Sequence, residues 1–133
     1  MDSLNLAKKI PKILCIEDEQ FTAELYQQAL NTAGFSVTIV GDGVDGLKEA
    51  QTDDYDVILL DLMMPNLSGE EILDSLRDLN KTPHLKAKII VTTNLDENEK
   101  IKAKTESKAD AYLVKADLTP SQLVEVINKV IQA

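Results

Sequence analysis

Four apolar runs, each three or four residues long, constrain the fold more than any other feature of this chain. Ile13-Leu14-Cys15-Ile16, Val57-Ile58-Leu59-Leu60, Ile89-Ile90-Val91 and Tyr112-Leu113-Val114 are too short for buried helices. They are apolar on both faces, the pattern of central strands in a parallel sheet covered on both sides. Ser36-Val37-Thr38-Ile39-Val40 alternates more and suits an edge strand. Between the runs lie amphipathic segments with helix punctuation. The first has Phe21, Leu25, Ala29, Leu30 and Ala33 as its predicted inner face and stops at Gly34. The second follows Asp42-Gly43, with Val44, Leu47 and Ala50 inward and Gly46 weakening it. The third opens on Ser68-Gly69-Glu70-Glu71, a capping box, with Ile72, Leu73, Leu76 and Leu79 inward. A fourth, over 97–108, offers only Ile101 and Ala103 as apolar material, which predicts low local stability. The last opens on Thr119-Pro120-Ser121-Gln122 and carries Leu123, Val126, Ile127, Val130 and Ile131 at a 3.6-residue period.

Five strand–helix pairs in strict alternation predict a doubly wound α/β fold, with a five-stranded parallel sheet and helices on both faces. The 133 residues allow one domain, over 11–133, preceded by an N-terminal arm over 1–10. A lone Cys15 forbids an internal disulfide and fits a reducing, cytoplasmic setting. The formal charge of −9 is the wrong sign for a domain whose affinity comes from neutralising phosphates, so no nucleic-acid partner is expected. The longest apolar stretch, over 57–64, is interrupted by Asp61 and falls far short of a membrane span.

In such a sheet the ligand crevice lies outside the carboxyl ends of the strands. The residues just after the runs are Glu17-Asp18 and Glu19, then Asp61, then Thr92-Thr93, then Lys115. Acids, a hydroxyl and an amine are therefore delivered to one rim by four strands. Carboxylates held close repel one another, and a hard divalent cation such as Mg²⁺ relieves the repulsion while accepting phosphate oxygens. One carboxylate can also attack phosphorus to give an aspartyl phosphate, with the cation and the Lys neutralising the phosphoryl oxygens. Taken singly, each acid reads as a helix cap or a solvated loop residue, as Asp42 and Asp96 do. Together, with Asp61 at the centre of the sheet, they read as a site.

The run Asp61-Leu62-Met63-Met64-Pro65-Asn66-Leu67-Ser68-Gly69 resembles the phosphoacceptor loop of response-regulator receiver domains, the CheY-like family. Glu17-Asp18, Thr93 and Ala109-Asp110-Ala111-Tyr112-Leu113-Val114-Lys115 match in order and approximate spacing, so the likeness covers about residues 11–132. The resemblance implies the sheet order 2-1-3-4-5, given for this fold in general. It implies that Asp61 is phosphorylated, and that Asp18, Asp61 and the backbone carbonyl of Met63 hold Mg²⁺, with Glu17 reaching the ion directly or through water. Lys115 would pair with Asp61 and then with a phosphoryl oxygen. Thr93 would hydrogen-bond the phosphoryl group, and Tyr112 would change rotamer as Thr93 moves. The family usually follows its Lys with Pro, often through a cis bond; Ala116 stands here, and a trans bond is expected.

The implied function is a stand-alone phosphorylation switch. Its phosphate would come from a histidine kinase or histidine phosphotransfer protein, and its output would be the binding of an unknown partner. The switch would catalyse only its own phosphorylation and slow dephosphorylation. Met63 and Leu95 would flank the path of hydrolytic water without hydrogen-bonding it, which predicts a long-lived phosphate. Two alternatives are an unphosphorylated pseudo-receiver scaffold and an aspartyl-nucleophile phosphatase. The latter usually has a second Asp two residues beyond the nucleophile, where this chain has Met63.

Overall fold

The computed structural model describes residues 9–94 and 99–132. Its elements run β1 (Lys12–Ile16), α1 (Gln20–Thr32), β2 (Ser36–Val40), α2 (Gly43–Ala50), β3 (Val57–Asp61), α3 (Gly69–Arg77), β4 (Lys88–Thr93), α4 (Glu99–Glu106), β5 (Ala111–Val114), a single 3₁₀ turn (Lys115–Asp117) and α5 (Pro120–Gln132). The strands form one parallel sheet in the order β2-β1-β3-β4-β5. Each apolar run is a strand, because side chains on both of its faces find a cover. Ile13, Cys15, Val57, Leu59 and Ile90 pack under Tyr26, Leu30, Leu123 and Ile127 of α1 and α5. Leu14, Ile16, Ile58, Leu60, Ile89 and Val91 pack under Ile72, Leu73 and Leu76 of α3. Contrary to its reading as a central strand, β5 closes one edge of the sheet and is half-buried along its length.

The helix ends follow the predicted chemistry. Gly34, at φ +97°, ends α1 in a Schellman motif: Phe35 N–H donates to Leu30 O and Gly34 N–H to Asn31 O, both at 3.0 Å. Ser68 and Glu71 complete the capping box of α3. At α5, the Thr119 hydroxyl accepts from Gln122 N–H and Gln122 Oε1 accepts from Thr119 N–H.

The inner faces of three helices differ from the sequence reading. On α1 the buried residues are Ala23, Tyr26 and Leu30, whereas Phe21 is 69% exposed, Leu25 is exposed and so is Ala33. At 100° per residue Phe21 lies about 200° around the helix from Ala23, so once Tyr26 turns inward Phe21 must turn out. On α2 the buried positions are Gly43, Gly46 and Ala50, and Val44 is exposed. Gly46 does not merely weaken α2; a Cβ there would stand 2.7 Å from Ile16 Cγ2, so its lack of side chain allows the helix to seat on β1. Leu79 is 75% exposed because α3 ends at Arg77, before the apolar stripe reaches it. The thin helix α4 does form, and its buried anchor is Thr105 rather than Ile101 or Ala103. Asp96 and Leu95 lie outside the described residues.

Candidate functional site

β1, β3, β4 and β5 all end at the same edge of the sheet, so the residue after each strand, or the last residue in it, is delivered to one pocket. Glu17 follows β1, Asp61 ends β3, Thr93 ends β4 and Lys115 follows β5. Glu17, Asp61, Thr92 and Thr93 are all buried, and Asp18 is exposed at the mouth. One carboxylate oxygen from each of Glu17, Asp18 and Asp61 lies within 4.8 Å of the others. The structure thus brings together the three acids singled out in the sequence.

Lys115 joins them. Its ammonium donates to Glu17 Oε1 at 2.5 Å and to Asp61 Oδ2 at 3.1 Å, with its side chain only 9% exposed. Asp61 is the partner foreseen for Lys115; Glu17 is an additional and closer one. The Lys115–Ala116 peptide is trans, as expected. The other oxygen of each carboxylate is also used. Glu17 Oε2 accepts from Glu19 N–H at 3.1 Å, and Asp61 Oδ1 accepts from Met63 N–H at 3.0 Å. The acids are therefore oriented as well as clustered.

The charges do not balance. Three carboxylates face one ammonium, a net charge of −3 + 1 = −2 if all are ionised. The Glu17 pKa is raised to about 7, chiefly by burial, with the Lys115 hydrogen bond opposing the rise and the charge of Asp61 adding to it. Burial alone would lower the Lys115 pKa, but its hydrogen bond to Glu17 and the charges of Asp61 and Glu17 outweigh that and raise it. An all-oxygen donor set carrying this surplus negative charge fits a hard divalent cation such as Mg²⁺.

The loop between β3 and α3 is shaped by close approach. Leu62 N–H donates to Thr92 O and Gly69 N–H to Leu62 O, both at 3.0 Å. A Cβ at Gly69 would stand 2.5 Å from Leu62 Cα, so α3 can begin against the phosphoacceptor-like loop only with Gly there. In the sequence this residue reads as a helix start and as the end of the run that resembles the phosphoacceptor loop, without showing what it approaches. Met63 is 56% exposed on the loop. Asp42, read as a simple cap, does more: it caps α2 by accepting from Asp45 N–H at 2.9 Å and also accepts from the Asn66 side-chain amide across 24 residues.

Thr93 pairs in register with Val114, directly before Lys115, while its neighbour Thr92 pairs with Asp61. Tyr112 is half-buried on β5 against the α3 side of the core, with the Lys102 ammonium 5.7 Å from its ring centre. Cys15 is buried in β1, as a small core residue. Among the described residues no helix is long and apolar enough to cross a membrane.

Known proteins are similar to this chain in sequence and in fold. The transcriptional activator protein IrlR of Burkholderia pseudomallei (strain 1026b) is 38% identical over 119 residues, covering 90% of this chain and 48% of that protein. The chain spans about half the length of the curated relatives it matches. The Francisella response regulator 1452 receiver domain superposes with a TM-score of 0.80 at 30% identity, covering 92% of this chain and 97% of that one. The receiver domain of the sensor histidine kinase PA1611 of Pseudomonas aeruginosa PAO1, whose structure has a magnesium ion in its active-site cleft, shares the fold with a TM-score of 0.80 at 23% identity, covering 94% of this chain and 100% of that one. The family model described as the response regulator receiver domain matches residues 13–128. With its five-stranded 2-1-3-4-5 sheet and its acidic pocket at the expected strand ends, this chain belongs to the response regulator receiver domain family.

Proposed function

We propose that this chain is a phosphorylation switch, phosphorylated on Asp61 in the presence of Mg²⁺. The observation that carries the reading is the buried Lys115 shared between Glu17 and Asp61, beside an oxygen-lined acidic cluster whose charge calls for one more cation. Asp18 and Asp61, with the backbone carbonyl of Met63, are the residues to hold Mg²⁺, and Glu17 reaches it directly or through water. When bound, the ion supplies positive charge to the phosphoryl oxygens and removes the repulsion among the acids.

The chemistry of the chain's own residues follows. An Asp61 oxygen attacks phosphorus, the P–N bond of a phosphohistidine breaks, and the imidazole of the donor leaves with the electron pair. Two groups already hold Asp61 for this attack: Met63 N–H on Oδ1 and Lys115 on Oδ2. Once Asp61 carries the phosphoryl group as an acyl phosphate, Lys115 is free to donate to a phosphoryl oxygen, and the Thr93 hydroxyl donates to another. Movement of Thr93 toward the phosphoryl group vacates space on the β4–β5 side, where Tyr112 turns inward. Output is then a changed surface read by a binding partner. The phosphate donor is a histidine kinase or a histidine phosphotransfer protein, the setting is cytoplasmic, and neither nucleic acid nor membrane is a direct ligand of this domain.

The test is incubation with Mg²⁺ and a small acyl phosphate, read by intact mass. Addition of one phosphoryl group to the wild type and none to Asp61→Asn is the expected result. Equal labelling of both would refute the assignment.

A further inference from the structure

The tip of the β3–α3 loop is held by the start of α2. Gly43 N–H donates to Pro65 O at 3.3 Å, and the Asn66 amide donates to Asp42 Oδ1. Gly43 is buried against the backbone of Leu67, with no room there for a Cβ. Asn66 itself sits at φ +69°, a left-handed conformation that Asn, Asp and Gly tolerate best. The Asp42 carboxyl divides its oxygens, Oδ2 to the α2 cap and Oδ1 to Asn66. Its pKa is lowered, first by the Asn66 hydrogen bond and then by that of Asp45.

The base of the same loop is fixed elsewhere, by Leu62 N–H to Thr92 O and Gly69 N–H to Leu62 O. Met63 lies between the fixed base and the clamped tip, so both set the direction of its carbonyl. Asp61 Oδ1 accepts from the N–H of that same residue. The Met63 N–H belongs to the Leu62–Met63 peptide, which Gly69 N–H holds at Leu62 O, whereas the Met63 carbonyl belongs to the next peptide, toward Met64, and a loop free at its tip would leave that one free to rotate.

We propose that Asp42 and Asn66 are positioning residues, a side-chain clamp that holds the Met63 carbonyl in the orientation needed for Mg²⁺ binding and, through the ion, for phosphorylation. The inference rests on the reading of the pocket under Proposed function. It assigns to Asp42 and Asn66 a role beyond capping a helix and making a turn.

The test is a swap. Asn66→Asp keeps a residue that tolerates positive φ but sets two carboxylates against each other, which breaks the clamp. Adding Asp42→Asn restores a donor–acceptor pair in the reverse sense, at the wild-type net charge, with the Asn oxygen still able to cap α2. Asn66→Gly keeps the backbone conformation without the amide, and serves if Asn66→Asp folds poorly. Mg²⁺ affinity by calorimetry, the rate of labelling by acetyl phosphate and the urea midpoint are measured on each.

The expected result is about tenfold weaker Mg²⁺ binding and slower labelling in Asn66→Asp and Asn66→Gly, the lower end of what supporting residues around metal sites cost. The swapped pair should return to within about twofold of the wild type. Single variants with a lower urea midpoint but wild-type Mg²⁺ affinity and labelling rate overturn the proposal, because a purely structural brace behaves that way. So does a swapped pair that stays as weak as Asn66→Asp. A wild type that binds no Mg²⁺ is a different result, which overturns the pocket reading and this one with it.

Discussion

If the pocket holds Mg²⁺ as proposed, Glu17 should make the affinity for the ion depend on pH in a calculable way. It is 3% exposed, and its pKa is pushed up to about 7, first by burial and then by Asp61, against the pull of Lys115. A proton on Glu17 would then compete with the cation, and the apparent dissociation constant should scale as about 1 + 10^(7 − pH) for one displaced proton. The factor is about 1.1 at pH 8, about 2 at pH 7 and about 11 at pH 6, a tenfold weakening from pH 8 to pH 6. Calorimetry in two buffers of different ionisation enthalpy should show about 0.1 proton released at pH 8 and about 0.9 at pH 6. Glu17→Gln should bind more weakly at pH 8 and lose most of the slope, while His84→Gln, a control for the one histidine, should keep it. An affinity that is flat between pH 6 and pH 8, or an equal slope in Glu17→Gln, would refute the reasoning. The same shift gives the sign for stability. Between pH 4.5 and about 7 the folded chain holds a proton that the unfolded chain has released, so the metal-free protein loses stability as the pH rises through this window. Saturating Mg²⁺ should oppose that loss by binding only the folded state.

Asp18→Ala should weaken Mg²⁺ binding at least tenfold while moving the unfolding free energy by no more than about 0.5 kcal/mol, since Asp18 is exposed at the pocket mouth; a wild-type affinity by calorimetry would count against the cluster. Gly69→Ala forces the backbone of Asp61 and Leu62 to move, and should cost about 1–3 kcal/mol in urea unfolding as well as slowing labelling of Asp61. Unaltered values for both would contradict the close approach. Cys15, buried and with its pKa raised to about 12 chiefly by burial, should resist a maleimide in the native protein and react promptly in urea. Met63→Asn places a hydrogen-bonding amide on the exposed loop beside Asp61, and should shorten the phosphate lifetime; an unchanged decay rate at saturating Mg²⁺ removes the basis for a slow reset.

Much of the fold and of the pocket is legible in the sequence because the chemistry that sets them is local. Short apolar runs can only be strands, and strand ends in a parallel sheet share one rim, so Glu17, Asp18, Asp61 and Lys115 group together from their positions alone. Ser68 and Thr119 declare their caps because a capping box is complete within four residues. What the sequence does not reveal depends on partners far along the chain. The inner face of α1 differs from its periodic reading because Tyr26 is amphipathic and Ala23 small; only the packing of Tyr26 and Leu30 with Leu123 and Ile127 of α5 shows which side turns inward. Gly46 resembles a weak helix residue, and Gly69 part of a helix start and of the run after Asp61, until the groups they approach, the Ile16 side chain and the Leu62 backbone, are in place. The Asn66 amide finds Asp42 only because the sheet order sets the start of α2 beside the β3–α3 loop.

Stability and function are divided between the layers of this sheet. The interior supplies the folding energy: Ile13, Leu14, Ile16, Ile58, Leu60, Ile89 and Ile90 are completely buried, each full burial being worth about 1.5–3 kcal/mol. One residue further along β1 and β3, the same buried environment holds Glu17 and Asp61, where it raises the cost of charge instead of lowering the cost of exposure. Lys115 offsets part of that cost, and the remaining negative charge is what a cation, and then a phosphoryl group with its cation, can relieve or rearrange. A pocket at electrostatic rest would have little to gain from either. The tension is tolerated because it is confined to the strand ends, while the apolar strands beneath keep the four rim residues in register.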